Sequence, residues 1–104
     1  MRRLTVVIPP VVQEQITAQA LHIAQDSIDH ALAWENRLRV AIDGLGDLPG
    51  YAVDEDASDR LGYPVRKAVF ERTYLIHFVV DDAAGAVRVV NFRHGARLPR
   101  RGEP

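Results

Sequence analysis

Hydrophobic and polar positions follow a helical period in the first half of the chain. Over residues 11–25 the apolar positions recur at helical spacing, namely Val12, Ile16, Ala20, Ile23 and Ala24. A second helical pattern follows Asp26-Ser27, either of which can cap it, and Gly46 and Pro49 end it. Its apolar positions are Ile28, Ala31, Leu32, Leu38, Ala41, Ile42 and Leu45. Because only two residues separate the patterns, we predict an antiparallel helical hairpin.

Short β-branched and aromatic runs flank this hairpin and predict strands. They cover residues 4–8, 65–70, 73–80 and 86–93. The segment 47–64 is acidic at its centre and rich in glycine and proline, so it predicts a loop. The expected fold is therefore α+β, in the order β-α-α-β-β-β, with an antiparallel sheet and the two-helix hairpin packed on one face.

Turn lengths decide which side chains share a face of the sheet. A five-residue last turn pairs Val80 with Ala86, and a two-residue turn before it pairs Phe70 with Thr73. The face towards the helices then consists of Val69, Tyr74, Ile76, Phe78, Val80, Val90 and Phe92. The opposite face consists of Arg66, Ala68, Phe70, Thr73, Leu75, His77, Val79, Val89, Asn91 and Arg93. Since this second face is less polar than a solvated one, we predict that something covers it and that it is a binding surface.

Composition restricts the protein to a small globular class. With 104 residues and 47% hydrophobic content, residues 1–97 are expected to form one domain, followed by a polar tail at 98–104. The absence of cysteine removes disulfides and thiolate chemistry, which favours a cytoplasmic protein. No apolar run reaches the roughly 18 residues of a membrane span. His22 and His30 lack partners at metal-ligand spacing, so we expect neither a metal nor a cofactor.

Charge is distributed unevenly along the chain. Residues 1–59 hold four arginines against ten acidic residues, whereas residues 60–104 hold nine basic residues against four acidic ones. This asymmetry suggests a partner with an acidic surface or phosphates. A local excess of five positive charges is nevertheless modest beside that of dedicated nucleic-acid binders.

The last part of the chain carries its most specific pattern. Arg66 is followed by YLIHFVV over residues 74–80 and by VVNFRHGAR over residues 89–97. In this order, on strands of the right length, the pattern resembles the closing motif R…Y-x-I-x-Y-x-V…V-x-x-x-x-H-G-x-R of the RelE/ParE superfamily. These proteins are toxins of type II toxin–antitoxin modules. The resemblance covers most of the chain, and it implies a growth-inhibiting toxin that a cognate antitoxin neutralises in a hetero-oligomer.

The superfamily implies two classes of target. RelE-like members are ribosome-dependent mRNA endoribonucleases that use basic, histidine or tyrosine side chains on the sheet face, whereas ParE-like members lack that set and inhibit DNA gyrase. Here Leu75 stands where RelE-like nucleases commonly carry arginine, and no tyrosine follows Tyr74. Arg66 and Lys67 are adjacent in a strand, so they point to opposite faces. These departures favour a ParE-like, non-enzymatic gyrase inhibitor, and the ribosome-dependent endoribonuclease is the alternative.

Two sets of candidate site residues follow from the resemblance and the register. The residues expected to bind the target or the antitoxin are Arg66, His77, Asn91, Arg93 and Arg97. If the protein is a nuclease, the expected catalytic residues are His94 as general acid or base, with Arg93, Arg97, Arg66 and His77. The alternative for His94 is a structural turn at the end of the last strand.

Overall fold

The computed structural model describes residues 3–47 and 53–95. Its elements are β1 (Thr5–Val7), α1 (Pro10–Ala24), α2 (Ile28–Asp43), a 3₁₀ turn (Gly44–Asp47), α3 (Glu55–Leu61), β2 (Arg66–Phe70), β3 (Tyr74–Asp81) and β4 (Ala86–His94). Within the described ranges, three α-helices accompany one four-stranded sheet, so the α+β class is confirmed. The predicted tail, residues 98–104, lies outside the described residues.

The first two helices begin close to where the sequence predicts, but α2 ends at Asp43, before the predicted stop at Gly46, and a 3₁₀ turn follows it. Pro10 occupies the first turn of α1, where a missing backbone N–H costs nothing. The Ser27 hydroxyl caps α2 by accepting a hydrogen bond from the His30 N–H at 3.1 Å. After α2, the 3₁₀ turn brings the Gly46 carbonyl to the Leu4 N–H at 2.9 Å. This bond joins the end of the hairpin to the start of β1.

The sheet is mixed, which corrects the prediction of an antiparallel sheet. Its strand order is β1-β4-β3-β2, and β2, β3 and β4 form the expected antiparallel meander. The edge strand β1 runs parallel to β4, with Thr5 opposite Ala86. The helical hairpin that separates β1 from the meander allows this parallel pairing, because a parallel neighbour needs a crossover connection.

Both predicted turns differ from the observed ones by one residue. Phe70 pairs with Tyr74 instead of Thr73, because three residues connect β2 and β3. Asp81 pairs with Ala86, which leaves four residues in the last turn instead of five. A β-bulge then shifts the β3–β4 register between Phe78, opposite Val89, and His77, opposite Asn91.

These shifts reverse part of the predicted face assignment. Ala68, Phe70 and Val89 belong to the buried core, although the sequence placed them on the opposite face. Conversely, Val69 is 59% exposed, and Val90 lines a cavity on the face away from the core. A one-residue slip moves every side chain of a strand to the other face, which explains the errors on β2.

The core lies between the helical hairpin and one face of the sheet. Side chains of α1 and α2 pack there with those of the sheet, and the most completely buried large residues include Ile16, Leu38, Ile42, Ile76 and Phe78. Tyr74, Ile76, Phe78 and Phe92 were predicted to face the helices, and all four belong to this core. The alternate β3 positions therefore point to the opposite face.

The segment 47–64, predicted to be a loop, contains the short helix α3. Asp54 caps it by accepting a hydrogen bond from the Ala57 N–H at 3.1 Å, and Gly62 ends it with a left-handed φ of 80°. Glu55 and Asp56 in the first turn suit the positive end of the helix dipole. The acidic residues that suggested a solvated loop thus include the start signal of a helix.

Candidate functional site

His77 and Asn91 meet on the sheet face that points away from the core. They are directly paired between β3 and β4, and Asn91 Nδ2 lies 3.4 Å from His77 Nδ1. Arg93 pairs with Leu75 and lines a cavity on the same face. The structure therefore brings together three of the residues that the sequence nominated for one surface.

Two other candidate residues lie elsewhere in the sheet, and a third lies outside the described residues. Arg66 pairs with the core residue Phe78, so its predicted position beside His77 is wrong, and Lys67 takes that position. His94 pairs with Tyr74 on the helix side, where the two rings meet edge to face at 5.4 Å. Arg97 lies outside the described residues.

His77 is buried beneath the start of α3. It is 2% exposed, and its Nε2 lies 2.9 Å from the Asp54 Oδ2. The other oxygen of the same carboxylate accepts the Ala57 N–H that caps α3. Asp54 therefore bonds to α3 through one carboxylate oxygen and to His77 of β3 through the other.

A chain of hydrogen bonds reaches His77 from the opposite side. The Phe92 N–H donates to Gln15 Oε1 at 2.9 Å, and Gln15 Nε2 donates to Asn91 Oδ1 at 3.0 Å. Phe92 lies beyond the short segment of β4 that β1 covers, so α1 supplies the acceptor that a neighbouring strand would otherwise provide.

The backbone donor at the start of this chain determines its direction. Because the Phe92 N–H can only donate, it fixes the Gln15 oxygen, and the Gln15 amide group must then donate to Asn91 Oδ1. Asn91 Nδ2 in turn donates to His77 Nδ1, which leaves the hydrogen of the neutral ring on Nε2, facing Asp54. Both ring nitrogens of His77 are thus engaged, and neither is available to a substrate.

The same contacts determine the ionisation of Asp54. Burial raises the pKa of its carboxyl, but hydrogen bonds from the Ala57 N–H and the His77 ring, together with the positive charge of Lys67, outweigh burial. The pKa of Asp54 is therefore held below its usual range. A carboxylate in this position is a strong acceptor for the His77 N–H.

A cavity of about 330 Å³ separates the second half of α3 from the sheet. Its lining comes from α3 and the segment after it on one side and from the sheet on the other: Ala57, Arg60, Leu61, Tyr63, His77, Val90, Asn91 and Arg93. Two arginines line this cavity, and no ion pair joins either of them to a described residue. The face predicted to be covered by a partner is thus partly covered by the chain itself.

A second concavity, of about 490 Å³, lies between α1 and the end of β4. It is lined by Gln15, Ala18, Gln19, Leu21, His22, Gln25, Phe92, Arg93 and His94. Two histidines and an arginine thus border one groove, although no sequence pattern associates His22 with His94. Imidazole and guanidinium groups are suited to proton transfer and to phosphate binding, respectively.

Asp54 and Gln15 are functional candidates that the sequence reasoning missed. Asp54 carried a usable signal, because an N-cap residue followed by acidic residues and later by glycine marks a helix. Gln15 carried none, because its contacts with Asn91 and Phe92 join residues more than seventy positions apart.

Across the described ranges, no cluster of three or more histidine or carboxylate side chains is arranged to hold a metal ion. Among the described helices, none has the length and apolar character needed to cross a membrane. Comparison with protein-family models and with curated proteins gives no match to this chain.

Proposed function

We propose that this chain is the toxin of a type II toxin–antitoxin module, with a RelE/ParE-like fold and a ParE-like action on DNA gyrase. The closing sequence motif supports the family. A helical hairpin between an edge strand and a three-stranded meander agrees with the β-α-α-β-β-β plan that the resemblance implies, with α3 as an addition. In this proposal the protein acts in the cytoplasm and needs no cofactor.

The observation that carries the choice of target is the separation of the candidate catalytic groups. His94 and Arg66 share a face with core residues, whereas His77 and Arg93 lie on the opposite face. His77 is buried with both nitrogens bonded, and Leu75 occupies the position directly across from Arg93. A nuclease needs its acid, base and phosphate-binding groups around one phosphodiester. This arrangement favours inhibition by binding over RNA cleavage.

The outer surface of the hairpin is the proposed antitoxin-binding surface. Ile28, Leu32 and Val40 follow one another at intervals of four or eight residues along α2, and each is more than 60% exposed. On α1, Leu21 is 65% exposed. Exposed apolar residues at helical spacing suit an amphipathic segment of a partner, and such a segment would fold on binding in a toxin–antitoxin hetero-oligomer.

The endoribonuclease alternative has one supporting observation. Arg93, near the end of β4, lines the groove beside α1 as well as the cavity on the other face, so this groove is bordered by His22, His94 and Arg93. In this second proposal, the two imidazoles exchange protons with the RNA 2′-hydroxyl and the leaving oxygen, while the arginine binds the phosphate.

Purified protein separates the two proposals. We expect it to inhibit gyrase supercoiling, and we expect Arg93→Ala to weaken inhibition by about 2 kcal/mol, a roughly thirtyfold higher inhibitory concentration, if Arg93 anchors the interface. Arg72→Ala, which removes the same charge from the exposed β2–β3 turn, is the matched control.

The contrary results are equally specific. Undisturbed growth of cells that contain the soluble, folded chain without an antitoxin contradicts the toxin proposal. Ribosome-dependent cleavage of mRNA that disappears in both His22→Ala and His94→Ala, with gyrase unaffected, establishes the nuclease instead.

A further inference from the structure

We propose that α3 is an internal cover of the sheet face, held shut by the Asp54–His77 hydrogen bond, and that a partner reaches His77 only when this cover opens. The proposal rests on the function proposed above for the nature of the partner. The cover itself rests only on the geometry of the described residues.

The helix is attached to the sheet face at few points. Ala57 is the one residue of α3 that is fully buried, at 1% exposure, whereas Leu61 and the following Tyr63 are both more than 40% exposed. The cavity beneath Arg60 and Leu61 means that the second half of the helix does not pack directly on the sheet. A helix with so few buried apolar contacts belongs to the parts of a protein that open at low cost.

Two further hydrogen bonds close the base of α3 instead of tying it to the sheet face. The Asp54 N–H donates to the Val65 carbonyl at 2.7 Å, and the Val65 N–H donates to the Ser58 hydroxyl at 2.8 Å. Both bonds link the helix to the residue before β2. Neither bond reaches β3, so the cover opens by local unfolding of α3, and the Asp54–His77 bond is the described polar contact that holds it against β3.

The directed hydrogen-bond chain explains why this contact is strong in the closed state. Gln15 and Asn91 present a donor to His77 Nδ1 and thereby keep the ring hydrogen on Nε2, where Asp54 accepts it. Ser58 and Val65 take no part in this chain. The charged groups around the ring are Asp54 before α3, Arg60 on α3, Lys67 on β2 and Arg93 on β4.

Asp54→Asn tests the latch with little disturbance of the helix. Asparagine is as good an N-cap as aspartate, so its side-chain oxygen can still accept the Ala57 N–H. Its NH₂ group then faces the His77 N–H, and because both groups are donors, the hydrogen bond to His77 is lost. The matched control is Asp59→Asn, which removes the same charge from an exposed position of α3.

The first measurement is amide hydrogen exchange in the full chain. We expect the Ser58 and Gly62 amides to exchange about tenfold faster in Asp54→Asn, in line with the loss of one charge-assisted hydrogen bond, and not in Asp59→Asn. The amides of Ile76 and Phe78 report on global stability and are expected to change much less. Equal exchange rates at Ser58 and Gly62 in all three proteins would overturn the cover.

The second measurement is the reaction of histidines with diethyl pyrocarbonate, which modifies accessible neutral imidazoles. His77 is expected to react in Asp54→Asn and to stay protected in the wild type and in Asp59→Asn. The exposed His22 and His30 serve as internal standards. Protection of His77 in Asp54→Asn also contradicts the proposal.

Gyrase inhibition distinguishes a failure of this inference from a failure of the proposed function. If the cover gates the partner, Asp54→Asn inhibits at a lower concentration than the wild type. If α3 opens and the potency does not change, the gating role is wrong. If α3 opens and neither protein inhibits gyrase, the gyrase target is wrong and the cover stands.

Discussion

Gln15 is the residue whose loss tests most directly whether the hydrogen-bond chain stabilises the fold. Its side chain is half-buried, accepts the Phe92 N–H at 2.9 Å and donates to Asn91 at 3.0 Å. In Gln15→Ala both bonds are lost. Each is worth about 1 kcal/mol, and the better helix propensity of alanine returns a few tenths of a kcal/mol. The expected net loss is about 1.5 kcal/mol of the free energy of unfolding.

Gln13→Ala is the matched control on the same helix. Gln13 accepts one hydrogen bond from Arg39, and that bond lies at the exposed surface. The change in helix propensity is identical, so the difference between the two variants isolates the half-buried contacts of Gln15 with Phe92 and Asn91. We expect Gln13→Ala to change the free energy of unfolding by less than about 0.5 kcal/mol.

Thermal and urea unfolding of the two variants provide the measurement. A loss of about 1.5 kcal/mol lowers the melting temperature of a domain of this size by about 6 to 12 °C. If the free energies of unfolding of Gln15→Ala and Gln13→Ala differ by less than about 0.5 kcal/mol, water replaces the glutamine side chain at no cost, and the hydrogen-bond chain does not stabilise the fold.

Two further predictions concern backbone packing and pH. A Cβ added at Gly46 would collide with the Leu4 carbonyl oxygen, whereas nothing lies within 4 Å of one added at the helical Gly44. In chemical denaturation, Gly46→Ala should therefore lower the free energy of unfolding by about 1 to 3 kcal/mol, and Gly44→Ala should not lower it. Because the folded-state pKa of Asp54 is lowered, its stabilising contribution is complete well above the unfolded pKa of about 3.9 and disappears as the pH falls through the lowered value. Urea unfolding from pH 7 to pH 3 should therefore show a weaker pH dependence in Asp54→Asn than in Asp59→Asn, and equal slopes would contradict this assignment.

The sequence predicted the local features of the fold well, because local chemistry determines them. The caps and apolar spacing of α1 and α2 depend on neighbouring residues, and so does the alternation of Tyr74, Ile76 and Phe78. The length of the turn between β2 and β3 was harder to predict. Glu71 and Arg72 adopt positive φ angles of 50° and 59° without the glycine or asparagine that usually marks such positions. The resulting one-residue error moved Arg66 to the wrong face.

The candidate site was predicted only in part, because its contacts join distant parts of the chain. His77, Asn91 and Arg93 were grouped through the predicted last turn, and the grouping holds because the bulge at Val90 offsets the one-residue error in that turn. Asp54 approaches His77 from a segment twenty-three positions earlier, and no periodicity relates the two. The sheet face was interpreted as a binding surface because it is less polar than a solvated face. In the structure, α3 covers part of this face.

One irregularity of β4 serves the core and the site together. Val89 and Phe92 are three positions apart, so a regular strand would place them on opposite faces, yet both are buried in the core. The bulge at Val90 resolves this conflict by adding one residue between them. The same added residue places Asn91 opposite His77 on the far face, where a regular ladder continuing from the Phe78–Val89 pair would place Val90. The contact on which the hydrogen-bond chain depends is therefore a consequence of how β4 fills the core.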